Sequence, residues 1–222
     1  MKVLILGSTG MIGKGVLLEC LEADAVKSIL VINRHTCDIT HPKLKEIIHD
    51  DFFNLSDLKD QITGFDACFF CLGVSSVGLD ETKYSKITYI LTLNFARLMA
   101  VLNPDSVFCY VSGAGTDSSE KGRSMWARVK GKTENELFAL PFKASYMFRP
   151  GYIQPMKGIK SRTKLYALFY LFLSPVYYLL RPFHGMVTDT VSVGRAMINI
   201  ARKGYDKRII TNQDIYILAQ EN

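Results

Sequence analysis

Apolar runs and helical spacings alternate along the chain. Lys2–Leu6 has no polar face after its first residue, the pattern of a strand buried on both sides of a parallel sheet. Ser28–Asn33, residues 67–72, residues 106–111 and Ala144–Phe148 repeat that pattern, and residues 44–49 form a shorter third strand. Between them, residues 11–21 carry Ile12, Val16, Leu17 and Cys20 at helical spacing, and residues 55–62 form a short helix. Residues 82–102 form the longest helix, with Tyr84, Ile87, Ile90, Leu91, Phe95, Leu98 and Met99 on its buried side, and residues 125–140 form another. Residues 191–203 are amphipathic, with Thr190 as N-cap and Gly204 as the terminating glycine. Residues 208–211 add a seventh strand and 214–219 a closing helical turn. This alternation predicts α/β class: a doubly wound parallel sheet with helices on both faces, in one domain over 1–222. Residues 152–190 form a partly separate, helical substrate or lid region within it.

The junction of the first strand and first helix holds the chemistry. Gly7-Ser8-Thr9-Gly10-Met11-Ile12-Gly13 is a glycine-rich turn between strand and helix. Such a turn brings unpaired backbone N–H groups and the positive helix end to one point, which binds phosphate. The plain alternative is a tight turn whose glycines only let the helix pack on the strand. The second strand ends at Asn33-Arg34. A carboxylate at that point holds the ribose 2′-hydroxyl of NAD, and an arginine accommodates the 2′-phosphate of NADP. Arg34 and the missing carboxylate therefore favour NADP(H) over NAD(H). Asp51 is the candidate for the adenine edge. Leu72 and Gly73 follow the fourth strand, where the backbone would line the pyrophosphate and nicotinamide ribose. The polar stretch 114–124 has no apolar period and is long enough for a mobile flap.

Composition narrows the class further. In 222 residues, 48% hydrophobic and 22% charged content is ordinary for a soluble globular protein. The net charge of +6 comes entirely from the last third, since residues 151–222 hold 10 Lys/Arg against 4 Asp/Glu. No basic helix interleaved with aromatics and no zinc pattern accompanies it, so no nucleic-acid partner is expected. The five cysteines read as buried hydrophobes in a reducing cytosol, and no metal is expected. Cys68 and Cys71 have the spacing of a redox or metal pair, but on a strand they point to opposite faces. The start lacks a secretory signal pattern, and a cytoplasmic location is expected. Residues 165–180 carry no charge and are flanked by Lys157, Lys160, Arg162, Lys164 and Arg181. Three readings stay open there: a helix pair walling a substrate pocket, peripheral membrane contact through 164–181, or an interface, as in a homodimer. His184 reads as a loop histidine that could line a pocket.

The motifs together resemble the short-chain dehydrogenase/reductase superfamily in its extended or atypical branch. They are Gly7-x-x-Gly10-x-x-Gly13, Cys71-Leu72-Gly73, Ser112, Val129-Lys130-Gly131 with Glu134, and Arg149-Pro150-Gly151. Within the superfamily they look closest to small NADPH-binding oxidoreductase-like proteins of the Tat-interactive type. The resemblance covers about residues 1–155 and implies a Rossmann fold with NADP(H) at the carboxyl ends of the strands, contacting Pro150 and Gly151 as well as the turn. It implies that Ser112 polarises a carbonyl and that Lys130 holds the nicotinamide ribose. The tyrosine that serves as acid/base four residues before the lysine is replaced here by Trp126. Indole donates a hydrogen bond but delivers no proton at a useful pKa. Three readings follow: reduction with a proton from water, Lys130 or another hydroxyl such as Tyr84 or Tyr152; NADP(H) binding without turnover, as a sensor or scaffold; or a tyrosine approaching from elsewhere.

Overall fold

The doubly apolar runs become the strands of one sheet. A computed structural model describes residues 1–159, 177 and 185–221. In chain order the strands are β1 (Lys2–Leu6), β2 (Ser28–Asn33), β3 (Leu44–Ile48), β4 (Ala67–Phe70), β5 (Val107–Val111), β6 (Ala144–Phe148), β7 (Tyr152–Gln154), β8 (Val187–Asp189) and β9 (Ile209–Ile210). Seven of them form a parallel sheet in the order β3-β2-β1-β4-β5-β6-β9, a Rossmann-like arrangement. The winding reverses between β1 and β4. A crevice opens at the carboxyl ends of the strands at such a switch point.

Alternation along each strand sends side chains to two cores. On one face Val3, Ile5, Val31, Phe69, Cys109 and Phe148 pack with Val16, Leu17 and Cys20 of α1 (Met11–Glu22) and with Val193, Met197 and Ile200 from near the chain end. On the other, Leu4, Leu6, Ile32, Phe70 and Phe108 pack with Leu58 and Ile62 of a 3₁₀ helix (Ser56–Ile62), and with Phe95, Met99 and Leu137. Each fully buried side chain of this kind contributes about 1.5–3 kcal/mol. The helices that carry the later residues are α2 (Glu81–Ser85), α3 (Leu91–Leu102), α4 (Met125–Phe138), α5 (Thr190–Lys203) and α6 (Asn212–Gln220). Cys68 and Cys71 fall on opposite sides of the sheet, as the strand period requires.

Several local expectations are corrected. The long helix from 81 to 102 is continuous, but a π-helical stretch at Lys86–Ile90 joins α2 to α3. The extra residue in that turn shifts the buried side, so Thr88 and Thr92 face inward while Ile90 is 51% exposed. Asp189, not Thr190, caps α5: its carboxylate accepts from the Ser192 N–H at 2.8 Å. The Thr190 hydroxyl instead accepts from the Met156 N–H, 3.0 Å away. The closing helix is longer than expected and begins in a capping box between Thr211 and Asp214. β7 and β8 pair in a separate parallel two-stranded sheet, too short for the apolar pattern to announce. Residues 165–180, their neighbours Lys160, Arg162, Lys164 and Arg181, and His184 lie outside the described residues, Tyr177 excepted. Tyr177 donates to Asp189 Oδ2 at 2.9 Å, and its ring lies tilted against Tyr152 with centroids 6.4 Å apart. No helix among the described residues is long and apolar enough to cross a membrane.

Candidate functional site

The turn after β1 is built by close backbone contacts. Gly7 has φ +80°, a left-handed conformation, and a Cβ there would lie 2.7 Å from the Leu72 nitrogen. A Cβ on Gly13 would lie 2.1 Å from the Gly7 carbonyl oxygen, so α1 rests directly on the turn. The Gly10 N–H donates to the Gly7 carbonyl at 2.9 Å and closes the turn, and the Lys14 N–H donates to the Gly10 carbonyl at 2.8 Å, the first bond of the helix. Gly10 caps α1 without a side-chain bond, and the first turn holds no acidic residue. The helix therefore presents its amino end to the crevice with no carboxylate of its own to neutralise it.

A cleft of about 290 Å³ opens there, lined by Gly7, Thr9, Gly10, Met11, Ile32, Asn33, Arg34, His35, Phe52, Cys71, Leu72 and Gly73. Most of the residues expected around a dinucleotide thus meet in one place. Arg34 and His35 are exposed on its rim, and Arg34 has no ion-pair or hydrogen-bond partner among the described residues. Asn33 is buried and already engaged: it accepts from the Ser8 hydroxyl at 2.9 Å and donates to Glu46 Oε1 at 2.7 Å. Glu46 also accepts from the Thr36 hydroxyl and the Cys37 N–H, both at 2.9 Å. Burial acts to raise the Glu46 carboxyl, but these bonds outweigh it and hold the group below the usual range. This network fixes the loop that carries Arg34. Glu46, on the neighbouring strand, escaped the sequence reading because nothing in a linear pattern pairs it with Asn33.

Asp51 is not brought to the cleft. Its carboxylate accepts from the Phe53 N–H at 2.9 Å in a local turn, and Phe52 lines the cleft in its place. Ser8 is buried beneath the turn and Ile12 does not line the cleft. Cys71 is partly exposed at the cleft floor, and burial pushes its thiol up to about 12, which makes it inert as a nucleophile.

The remaining candidate residues lie outside that cleft lining, at the ends of β5 and β6. Ser112 is 9% exposed and donates its hydroxyl to the Phe148 carbonyl at 3.1 Å. Lys130 reaches from α4 to the carbonyl of Ser112 and, at 3.4 Å, to that of Val111. Burial lowers its ammonium to about 8, against an opposing pull from Glu134. Glu134 is fully buried and forms a two-toothed ion pair with Arg149, whose Nε lies 3.1 Å from each carboxylate oxygen. The two were singled out separately by sequence; the fold joins them into a clamp between α4 and the end of β6. Pro150 accepts the Ala114 N–H at 2.8 Å, and Gly151 donates its N–H to Asn212 Oδ1 at 3.0 Å.

Trp126 lies in the first turn of α4 with its ring 3.4 Å from where a Cβ on Gly115 would be. Tyr84 is 1% exposed and its phenol is raised by burial. Tyr152 donates to Gln154 Oε1 at 2.7 Å, and its phenol is also raised by burial. The stretch 114–124, expected as a mobile flap, is tied to α4. The Asp117 N–H bonds the Ala127 carbonyl at 3.1 Å, and Asn135 Nδ2 bonds the Ser118 carbonyl at 3.0 Å. Arg128 donates to the Gly122 carbonyl at 2.7 Å, and Gly131 lets the Asp117 carbonyl lie against the helix. The loop is polar because its bonds go to itself and to α4, which sequence polarity alone cannot distinguish from mobility.

Comparison with known proteins agrees on the fold. No family model matches the chain. It is 22% identical over 213 residues to Protein FMP52-1, mitochondrial, of Scheffersomyces stipitis, covering 93% of this chain and 91% of that one. It is 27% identical over 214 residues to Protein fmp52, mitochondrial, of Aspergillus clavatus, covering 92% and 88%. Among solved structures, the Bordetella bronchiseptica enzyme WbmF in complex with NAD+ superposes with a TM-score of 0.68 at 12% identity, over 97% of this chain and 76% of that one. A short chain dehydrogenase family protein from Francisella tularensis superposes with a TM-score of 0.64 at 15% identity, over 91% of each chain. The relatives are named as mitochondrial proteins, which overturns the cytoplasmic location expected from the sequence. The missing secretory pattern spoke only to export and held no information about mitochondria. The chain has the fold of nicotinamide-dinucleotide-binding enzymes of the dehydrogenase and epimerase type.

Proposed function

We propose that this protein binds NADP(H) in the cleft between β1 and β4 and acts as an oxidoreductase on a carbonyl or an activated double bond. The observation that carries the reading is the uncapped amino end of α1, set against the Gly7 turn in a cleft rimmed by Arg34, which has no partner among the described residues. The amide of Met11, at the uncapped helix end, would hold the pyrophosphate, and Arg34 the 2′-phosphate. Leu72, Gly73, Pro150 and Gly151 would border the nicotinamide end. The nearer likeness to proteins of the Tat-interactive type rests on the sequence motifs alone.

The bound cofactor supplies a hydride. The chain must supply a proton to the oxygen or carbon that receives charge, and Trp126 cannot do so. Lys130 is the group suited to it, because its ammonium titrates near about 8 and it sits at the end of β5 beside Ser112. Ser112 would rotate its hydroxyl from the Phe148 carbonyl toward the substrate.

A second reading, binding without turnover, is favoured by two contacts: the Trp126 ring lies against Gly115, and the Ser112 hydroxyl is already spent on the backbone. The names of the relatives extend either reading to a mitochondrial site of action, which cell fractionation tests. The two readings separate on single-turnover NADPH oxidation with a panel of aldehydes, quinones and enones, in the wild type and Trp126→Tyr. An oxidoreductase turns over as wild type and loses activity in Lys130→Met. If the wild type is inert and Trp126→Tyr creates turnover at unchanged NADPH affinity, the binding-only reading holds.

A further inference from the structure

Trp126 is the chain's single tryptophan, on the first turn of α4. Lys130 lies four residues on, hence on the same helix face, and its ammonium donates to the Ser112 carbonyl at the end of β5. Three residues past Ser112 the chain meets the indole: two of its ring atoms lie 3.4 and 3.7 Å from where a Cβ on Gly115 would be. Gly115 is exposed and Trp126 half-buried, so part of the ring stays open beside the strand end. Leu72 of the cleft wall and Ser112 each lie two residues past the paired Phe70 and Tyr110, so this strand end adjoins the cleft.

Among the described residues, the groups here that could give up a proton are engaged. The Lys130 ammonium is held by the Ser112 and Val111 carbonyls, the Ser112 hydroxyl by the Phe148 carbonyl, and the Thr116 hydroxyl by the Gly113 carbonyl at 2.7 Å. Indole donates a hydrogen bond but no proton. An acceptor that needs its proton during hydride transfer is therefore badly served. An aldehyde or ketone is one, because its product is an alkoxide about as basic as hydroxide, whose conjugate acid has a pKa of about 15.7. An enone needs its proton on carbon. A quinone leaves a phenolate, whose conjugate acid has a pKa of about 10, so its proton can arrive afterwards. Its planar ring also suits an aromatic wall. We propose that Trp126 makes the acceptor subsite one for a quinone, its ring packed against the indole beside Gly115. This rests on the oxidoreductase reading above and names its substrate class. The quinone takes one hydride from the reduced dinucleotide, which is oxidised, and then one proton through Lys130 or water. Both carbon–oxygen double bonds become single, and the ring becomes aromatic.

The test uses the full chain and duroquinone, whose four methyl groups block addition to the cysteine thiols. Binding is read without turnover, from quenching of Trp126 fluorescence. Saturable quenching is expected, against linear quenching of N-acetyltryptophanamide. By calorimetry, Trp126→Leu should bind duroquinone about tenfold more weakly, and Trp126→Phe, which keeps a ring, should recover most of the loss. In steady-state NADPH oxidation, kcat/KM for duroquinone should exceed that for benzaldehyde and for cyclohexenone about a hundredfold or more. Trp126→Tyr, which brings in an acid, should shift the ratio of duroquinone to benzaldehyde rates toward benzaldehyde about tenfold or more. Quenching that never saturates, or unchanged affinity in a Trp126→Leu protein that melts like wild type, would overturn the quinone subsite. Equal rates on the three acceptors would overturn it too and leave the oxidoreductase reading standing. If NADPH binds and no acceptor oxidises it, both fall.

Discussion

Gly13 offers a graded test of how the cleft is built. Alanine there places a Cβ 2.1 Å from the Gly7 oxygen, 2.6 Å from the Gly7 carbonyl carbon and 3.0 Å from the Ser8 nitrogen. All three are backbone atoms, so no rotamer change relieves the overlap, and α1 must move off the turn. Overpacking of this kind costs about 3 kcal/mol, the upper end of the usual range. The gain in helix propensity from glycine to alanine returns about 1 kcal/mol. The net loss is about 2 kcal/mol, which lowers the melting temperature by about 4–8 °C in a chain of this size. NADPH affinity falls as well, because the moved helix end carries the amide of Met11, which lines the cleft. Two other substitutions calibrate the scale. A Cβ on Gly10 meets only the Gly7 oxygen at 3.2 Å, and one on Gly73 meets nothing within 4 Å. Thermal unfolding by circular dichroism should rank Gly73→Ala with the wild type, Gly10→Ala below it, and Gly13→Ala lowest. A Gly13→Ala protein melting within about 1 °C of Gly73→Ala would refute the argument that α1 is seated by backbone contact.

Two other predictions concern the far end of the site. Glu134→Gln leaves Arg149 without its charged partner and should cost about 3 kcal/mol, read by urea unfolding, whereas replacing both residues by Met should cost less than either single change. Equal or greater loss in the double variant would show that the pair is not the buried clamp described. Lys130 is held near about 8 by burial, below its unfolded value. Between about pH 8 and 10.4 the unfolded chain therefore keeps a proton that the folded chain has released, and stability should rise with pH across that window. The rise should be about 1–3 kcal/mol relative to Lys130→Met, allowing for partial solvent screening. A wild-type-minus-variant difference that stays flat from pH 7 to 10.4 would contradict the lowered ammonium.

The parts of the fold that follow from local periodicity could be read from the sequence. Strands with two apolar faces and helices with a single buried side were legible because each repeats a short period. Gly7, Gly10 and Gly13 were legible because a phosphate-binding turn needs them at one strand–helix junction. What escaped depends on contacts far apart in sequence. The Asn33–Glu46 network and the Glu134–Arg149 clamp join different elements, and no spacing rule links them. Asp51 was placed at the cleft for a related reason: a turn-capping aspartate and a cleft-lining one look alike in sequence, and here its carboxylate accepts from the Phe53 N–H at 2.9 Å while Phe52 lines the cleft. The π-helical stretch escaped because Ile87 and Ile90 keep an ordinary helical spacing, and only packing against α4 reveals that Thr88 is the inward residue.

The central claim is that the β1–β4 cleft holds a 2′-phosphorylated dinucleotide. Equilibrium titration of purified wild type and Arg34→Ala with NADPH and NADH, followed by nicotinamide fluorescence, tests it most directly. The account predicts saturable binding at one site per chain, NADPH ahead of NADH. For Arg34→Ala it predicts a loss of about 1.5–3 kcal/mol for NADPH alone, roughly 10–150-fold. No saturable binding of either dinucleotide, or equal loss of both on removing Arg34, would contradict it.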